Sequence, residues 1–182
     1  MQNSSIDFER GQLAGSYEVV YRNKSEFDAK ISAMIEDGKE RLQVISDFDF
    51  TLTRYYQSDG ESRSASCHMV LEHSTGLLPD SYLINAKALQ EYYYPIEQDP
   101  NMDHEVKFKH MEDWVNKHNE LFMTSGLTAN IINTAVDNSI KDGKFRVRDG
   151  IKELFTTMKN NNIPCLIFSA GITNVLESAL KR

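Results

Sequence analysis

Asp47, Asp49 and Thr51 stand close enough in the chain to react as a group. Two carboxylates spaced i, i+2 follow a short apolar run. In an extended segment alternate side chains share a side. That spacing predicts Asp47, Asp49 and Thr51 on one side, with Phe48 and Phe50 turned toward a core. Carboxylates that close repel, so they favour a bound cation or one raised pKa. Such a pair suits a nucleophile beside an acid, with a metal ion to hold them. A lone pair of this kind also occurs in ordinary turns, where Asp bonds its own backbone, so its surroundings matter.

Those surroundings place it at a strand end. Leu42, Val44 and Ile45 read as a buried strand covering about 42–46, and in open α/β sheets ligands bind beyond the carboxyl ends of strands. A second apolar run, Ile163 to Phe168, ends in Ser169-Ala170-Gly171. Helical spacing follows at Val175, Leu176, Ala179 and Leu180. Small residues and a hydroxyl at a strand-to-helix turn make a seat for an anion, because helix N-terminal amides are unpaired. Cys165, within the second run, reads as packing.

Helical periods dominate the rest. A helix starts at Ser25 with Phe27, Ile31, Met34 and Ile35 on one face and Gly38 as its cap. Residues 54–80 are polar and irregular. Three apolar faces then recur, on Tyr82, Ala86, Leu89 and Tyr93; on Met111, Trp114, Val115, His118, Leu121 and Phe122; and on Ile131, Ile132, Ala135, Val136 and Ile140. A crossover helix carries Ile151, Leu154, Phe155 and Met158. The expected fold is α/β, with strand, helical return and parallel strand. Residues 24–60 and 146–182 form the core, 61–145 an inserted helical cap, and 1–23 a loose arm without clear period.

The 182 residues carry 20 Lys and Arg against 27 Asp and Glu, a net charge of −7. Without a basic run, binding to a nucleic-acid polymer is not expected. No stretch has the apolar length of a membrane span, so no membrane partner is expected. Cys67 and Cys165 lie far apart, which fits unpaired thiols in a reducing compartment and a cytoplasmic location. The Cys67-His68 pair lacks a second cluster to complete a metal site.

The string DFDxTLT at 47–53 resembles the first motif of the haloacid dehalogenase (HAD) superfamily of phosphatases. FSAGIxxVLE at 168–177 resembles its second. The longer strings LQVISDFD, YYxPIExDP and IPxLIFSAGI are similar to those of the cytosolic 5′-nucleotidase III family, from about residue 24 onward. The resemblance implies a HAD-like, Rossmannoid parallel-sheet core and a Mg²⁺-dependent hydrolase of pyrimidine or 7-methylguanosine 5′-monophosphates. It implies Asp47 as nucleophile and metal ligand. Asp49 would be the acid and base, with its carbonyl on the metal. Ser169, Ala170 and Thr51 would hold phosphate. Glu97 aligns with the family glutamate that contacts the nucleotide. Tyr55 and Trp114 are candidates to stack on a base, though the spacing of Trp114 fits a core position equally well. His118 stands where relatives carry a serine near the substrate.

The sequence departs from the resemblance at its far end. The family's later lysine and its acidic GDSxGD segment have no match among residues 172–182, and the sheet core is expected to be incomplete. The alternative reading is therefore a truncated, inactive form acting at most as a nucleotide-binding or regulatory partner. On that reading the isolated chain shows no turnover and a broad thermal transition.

Overall fold

The computed structural model describes residues 9–12 and 18–182. By density of contacts the chain divides into two units. One joins Met1–Ile45 with Lys152–Leu166, the other Ser46–Ile151 with Ile167–Arg182.

In the first unit, β1 (Glu9–Gln12) pairs antiparallel with β2 (Glu18–Tyr21), Glu9 opposite Tyr21 and Gln12 opposite Glu18. The expected loose arm is thus a two-stranded ribbon over these residues; the remainder of that arm up to residue 17 lies outside the described residues. Helix α1 (Lys24–Asp37) starts where the Asn23 side chain accepts the Glu26 N–H at 3.1 Å and stops at Gly38, φ 76°. That conformation favours glycine, and the Gly38 N–H caps the Met34 carbonyl. The apolar face of α1 exists as expected, but Ile35 is 75 % exposed and no residue of the helix is buried. Helix α6 (Ile151–Asn160) buries Met158 and leads through a turn toward β4 (Cys165–Ile167).

β3 (Val44–Ser46) and β4 form a two-stranded sheet. The Val44 N–H donates to the Pro164 carbonyl at 2.9 Å and the Phe168 N–H to the Ser46 carbonyl at 2.8 Å, a parallel ladder. Two expectations fail here. β3 is shorter than 42–46 and not buried, and Cys165 is exposed rather than packed. Two strands present wide faces that no layer of the described residues covers.

The second unit is mostly helical, as the periodicity indicates. It holds α2 (Cys67–Glu72), α3 (Asp80–Gln98), α4 (His104–Thr124), α5 (Ala129–Lys141) and α7 (Thr173–Leu180). Ser66, Asp103 and Thr128 cap α2, α4 and α5 by accepting first-turn N–H groups. Helices α3 and α4 form an antiparallel pair, locked where Lys117 donates to the Tyr93 hydroxyl and Asp113 accepts from both. Phe48, Leu71, Tyr82, Ala135, Val136, Phe145 and Val175 are its core. The loop after β3 is stitched to residues 144–148: Ala65 N–H to Lys144, Arg54 N–H to Arg146, and Arg148 N–H to Leu52. Both motif loops belong to this unit. The division by contacts falls at 45/46, 151/152 and 166/167.

Candidate active site

The chain leaves β3 at Ser46 and turns at once. The Phe48 carbonyl accepts the N–H groups of Thr51, Leu52 and Thr53 at 3.3, 2.9 and 3.0 Å. The Phe50 N–H donates to Thr53 Oγ1 at 2.7 Å. Phe50 sits at φ 61°, uncommon for a residue with a Cβ. Arg148 holds it there, donating from Nε to the Thr51 carbonyl at 2.7 Å and from Nη2 to the Phe50 carbonyl at 2.8 Å. Asp47 and Thr51 therefore meet across a turn, not by strand alternation: Thr51 Oγ1 donates to Asp47 Oδ2 at 3.0 Å. Phe48 enters the core as expected, while Phe50 stays half-buried under the Arg63 guanidinium.

The second motif lies against the first. The Phe168–Ser46 ladder bond brings Ser169 beside the exit of β3. Ser169 Oγ accepts the Gly171 N–H at 3.0 Å. α7 begins only at Thr173, after Ile172 and without a side-chain cap, so Ser169 and Ala170 precede the helix rather than open it. Gly171 closes on Asp49: a Cβ there would lie 2.9 Å from Asp49 Oδ2 and 3.1 Å from both Cβ and Sγ of Cys67.

Cys67 completes this contact. Its N–H donates to Asp49 Oδ1 at 3.0 Å, and its thiol is a further donor to that carboxylate. Burial raises the Asp49 pKa, against the lowering effect of the Cys67 hydrogen bonds, so the carboxyl is set to take up a proton more readily than an exposed one. Burial and the Asp49 charge push the Cys67 thiol far up, keeping it protonated. His68, next along α2, is lowered by burial and hydrogen-bonds to the Ala170 backbone. The spacing offered no reason to assign Cys67, His68 or Arg148 a place at the site, and Gly171 read only as one of the small residues of the anion seat. The only local sign was Ser66 as a helix cap, which turns the first N–H groups of α2 toward Asp49.

The side chains expected to meet a base are spread along the helices and the loop. Trp114 stacks on Tyr93 at 5.6 Å and 13°. His118, one turn on, lies edge-on to His68 at 5.3 Å. Trp114 Nε1 and His118 Nε2 are buried without a hydrogen-bond partner among the described residues. One face of Trp114 packs on Tyr93, as a core position would. Tyr55 is exposed, edge-on to Phe50 at 5.3 Å and beneath Arg63. Glu97 is exposed in the last turn of α3, one turn beyond Tyr93 on the same face. No hydrogen bond or ion pair joins its carboxylate to the other candidates.

Among the described residues no three His, Cys, Asp or Glu side chains gather as a metal site. The donors at the turn still suit Mg²⁺. Asp47 is exposed with one oxygen engaged by Thr51, and Asp49 offers a backbone carbonyl. A hard ion that keeps several waters needs few protein oxygens. The Asp49 carboxylate itself is committed to Cys67.

His118 gives a pH prediction. Burial, and the neighbouring His68, lower its pKa from 6.5 to about 4. The unfolded chain then binds the proton more readily than the folded one. The contribution is fully present above pH 6.5 and lost as pH falls toward 4. Replacing His118 with Asn should flatten the fall in melting temperature between pH 7.5 and 5, by the equivalent of roughly 1–2 kcal/mol at pH 5. Parallel melting curves for the two proteins would refute it.

A family model described as pyrimidine 5′-nucleotidase (UMPH-1) matches residues 50–182. The chain is 33 % identical over 170 residues to 7-methylguanosine phosphate-specific 5′-nucleotidase A of Xenopus laevis, covering 93 % of this chain and 56 % of that protein. It is 32 % identical over 164 residues to the Homo sapiens 7-methylguanosine phosphate-specific 5′-nucleotidase, covering 90 % and 52 %. A crystal structure of cytosolic 5′-nucleotidase IIIB bound to cytidine superposes with a TM-score of 0.76 at 31 % identity, over 88 % of this chain and 52 % of that one. The chain spans about half the length of the curated relatives it matches. The α/β architecture is thus the HAD-like one, in part.

Proposed function

The chain belongs to the pyrimidine 5′-nucleotidase (UMPH-1) family, and on that premise we propose that its site hydrolyses nucleoside 5′-monophosphates to nucleoside and phosphate. The observation that carries the reading is the junction of the two motif loops. Asp47, on its Thr51-braced turn, is exposed beside Ser169, while Asp49 is held between Cys67 and Gly171. In this reading an Asp47 oxygen attacks phosphorus, forming an aspartyl-phosphate as the ester oxygen departs. Asp49, whose pKa is raised, gives that oxygen a proton and then takes one from the water that releases phosphate. Thr51, Ser169 and the Ala170 amide would hold phosphate oxygens. Mg²⁺, held by Asp47 and the Asp49 carbonyl, would supply charge neutralisation at the phosphate.

Nucleotide choice falls to the helical region. Trp114 Nε1 and His118 Nε2 lack partners among the described residues, which is costly for buried polar atoms unless a ligand or water supplies them. Glu97 and Tyr55 would serve at the rim. Cytidine in the related structure and 7-methylguanosine in the relatives' names bracket the base.

The test is phosphate release from CMP, UMP and 7-methyl-GMP. It is measured on this chain and on a hybrid continued with the second half of the human relative. Release that needs Mg²⁺ and stops with chelator is expected. Glu97→Ala should raise KM for nucleotides several-fold more than for a small aryl phosphate. Nucleotide binding by both proteins, with no release from either, would instead support a binding role.

A further inference from the structure

The turn after β3 has one carbonyl to spare. The Asp47 carbonyl accepts the Ser46 hydroxyl at 2.8 Å. The Phe48 carbonyl takes the N–H groups of Thr51, Leu52 and Thr53. Those of Phe50 and Thr51 accept Arg148 Nη2 and Nε at 2.8 and 2.7 Å, and that of Leu52 accepts the Arg148 N–H at 2.9 Å. Between 47 and 52, only the Asp49 carbonyl receives no hydrogen bond among the described residues. It lies two residues from the exposed Asp47 carboxylate. The use made of Arg148 differs from that of its neighbours. Arg54 and Arg146 both pair with Asp149, whereas the planar fork of Arg148 bridges two successive carbonyls. Phe50, at φ 61°, is in a conformation that a Cβ disfavours, so the turn needs such a brace to persist.

We infer that Arg148 is a positioning residue for the divalent cation of the hydrolytic site: by holding the Phe50 and Thr51 carbonyls to itself, it leaves the Asp49 carbonyl free to share that cation with Asp47. The inference rests on the cation site proposed above and adds a residue that acts on it through the loop. A positive charge near a cation also repels it. The two effects of Arg148 therefore have opposite signs, and substitution separates them. Were repulsion dominant, Arg148→Ala would tighten cation binding; positioning requires that it weaken.

The experiment titrates Mn²⁺, a paramagnetic stand-in for Mg²⁺, into the chain and into the hybrid, and reads free Mn²⁺ by electron paramagnetic resonance. No turnover is needed. Asp47→Asn identifies the part of the binding that belongs to this site. Arg148→Ala is expected to weaken that part by roughly tenfold, the scale of losing a residue that orients metal ligands. Arg148→Lys keeps the charge but not the fork, and should weaken it several-fold. Arg148 is exposed, so both variants should melt close to the parent. If Arg148→Ala does not, Arg148→Lys carries the test. Parent affinity in Arg148→Lys, or parent or tighter affinity in a folded Arg148→Ala, would overturn the inference and leave the cation at Asp47. Equal binding by the parent and Asp47→Asn, or no saturable binding by either protein, would overturn it together with the cation site that it rests on.

Discussion

Asp47→Asn is expected to remove phosphate release from CMP by roughly 10⁴-fold or more, the scale of losing a covalent nucleophile. An amide oxygen neither attacks phosphorus at a useful rate nor brings a full charge to a cation. The fold should survive, because the Asn oxygen can still accept the Thr51 hydroxyl, now 3.0 Å from Asp47 Oδ2. Asp47 is exposed, so no buried charge is exchanged. The measurement pairs the release assay, on whichever of the chain and the hybrid turns over, with a thermal melt. A mutant that melts like the parent and keeps more than about a tenth of its rate would remove Asp47 from the nucleophile's place.

Gly171→Ala should damage both the fold and the reaction. The glycine is required by close approach rather than by backbone angle, since it is not among the positive-φ residues. An added methyl carbon would sit 2.9 Å from Asp49 Oδ2 and 3.1 Å from two atoms of Cys67. Cys67 is fully buried and cannot retreat. The half-buried Asp49 carboxylate is the group that must move, and it loses the Cys67 N–H when it does. Overpacking of this kind costs roughly 1–3 kcal/mol. Misplacing a reacting group by about 1 Å can cost about 10²-fold in rate. Thermal melting and phosphate release measure the two effects separately. A variant that matches the parent in both would show that the loop relaxes around the methyl and that Asp49 is not held by this contact.

Much of the arrangement was legible from local rules. The 3.6-residue apolar periods mark α3, α4 and α5, and Gly38 marks the end of α1, because spacing and backbone freedom act within a few residues. Asp47 and Ser169 are juxtaposed as two strand ends of one parallel pair, a relation that the order of the apolar runs already implies. The family follows from the strings around them. Other features depended on residues distant in sequence. Alternation along an extended segment was the wrong account of Asp47 and Thr51: they meet across a turn, with Phe50 at φ 61°, that Arg148, about a hundred residues on, braces by bonding two of its carbonyls. Cys67 read only as half of an incomplete metal pair with His68, and it is the donor that grips Asp49. Burial was misread at Ile45 and Cys165, where apolar or small residues in strands suggested a core that the described residues do not cover. Residue type determined which groups could react and which segments would coil. Only tertiary packing decided which carboxylate stands exposed and which is buried and raised in pKa, because desolvation depends on neighbours that one-dimensional spacing does not contain.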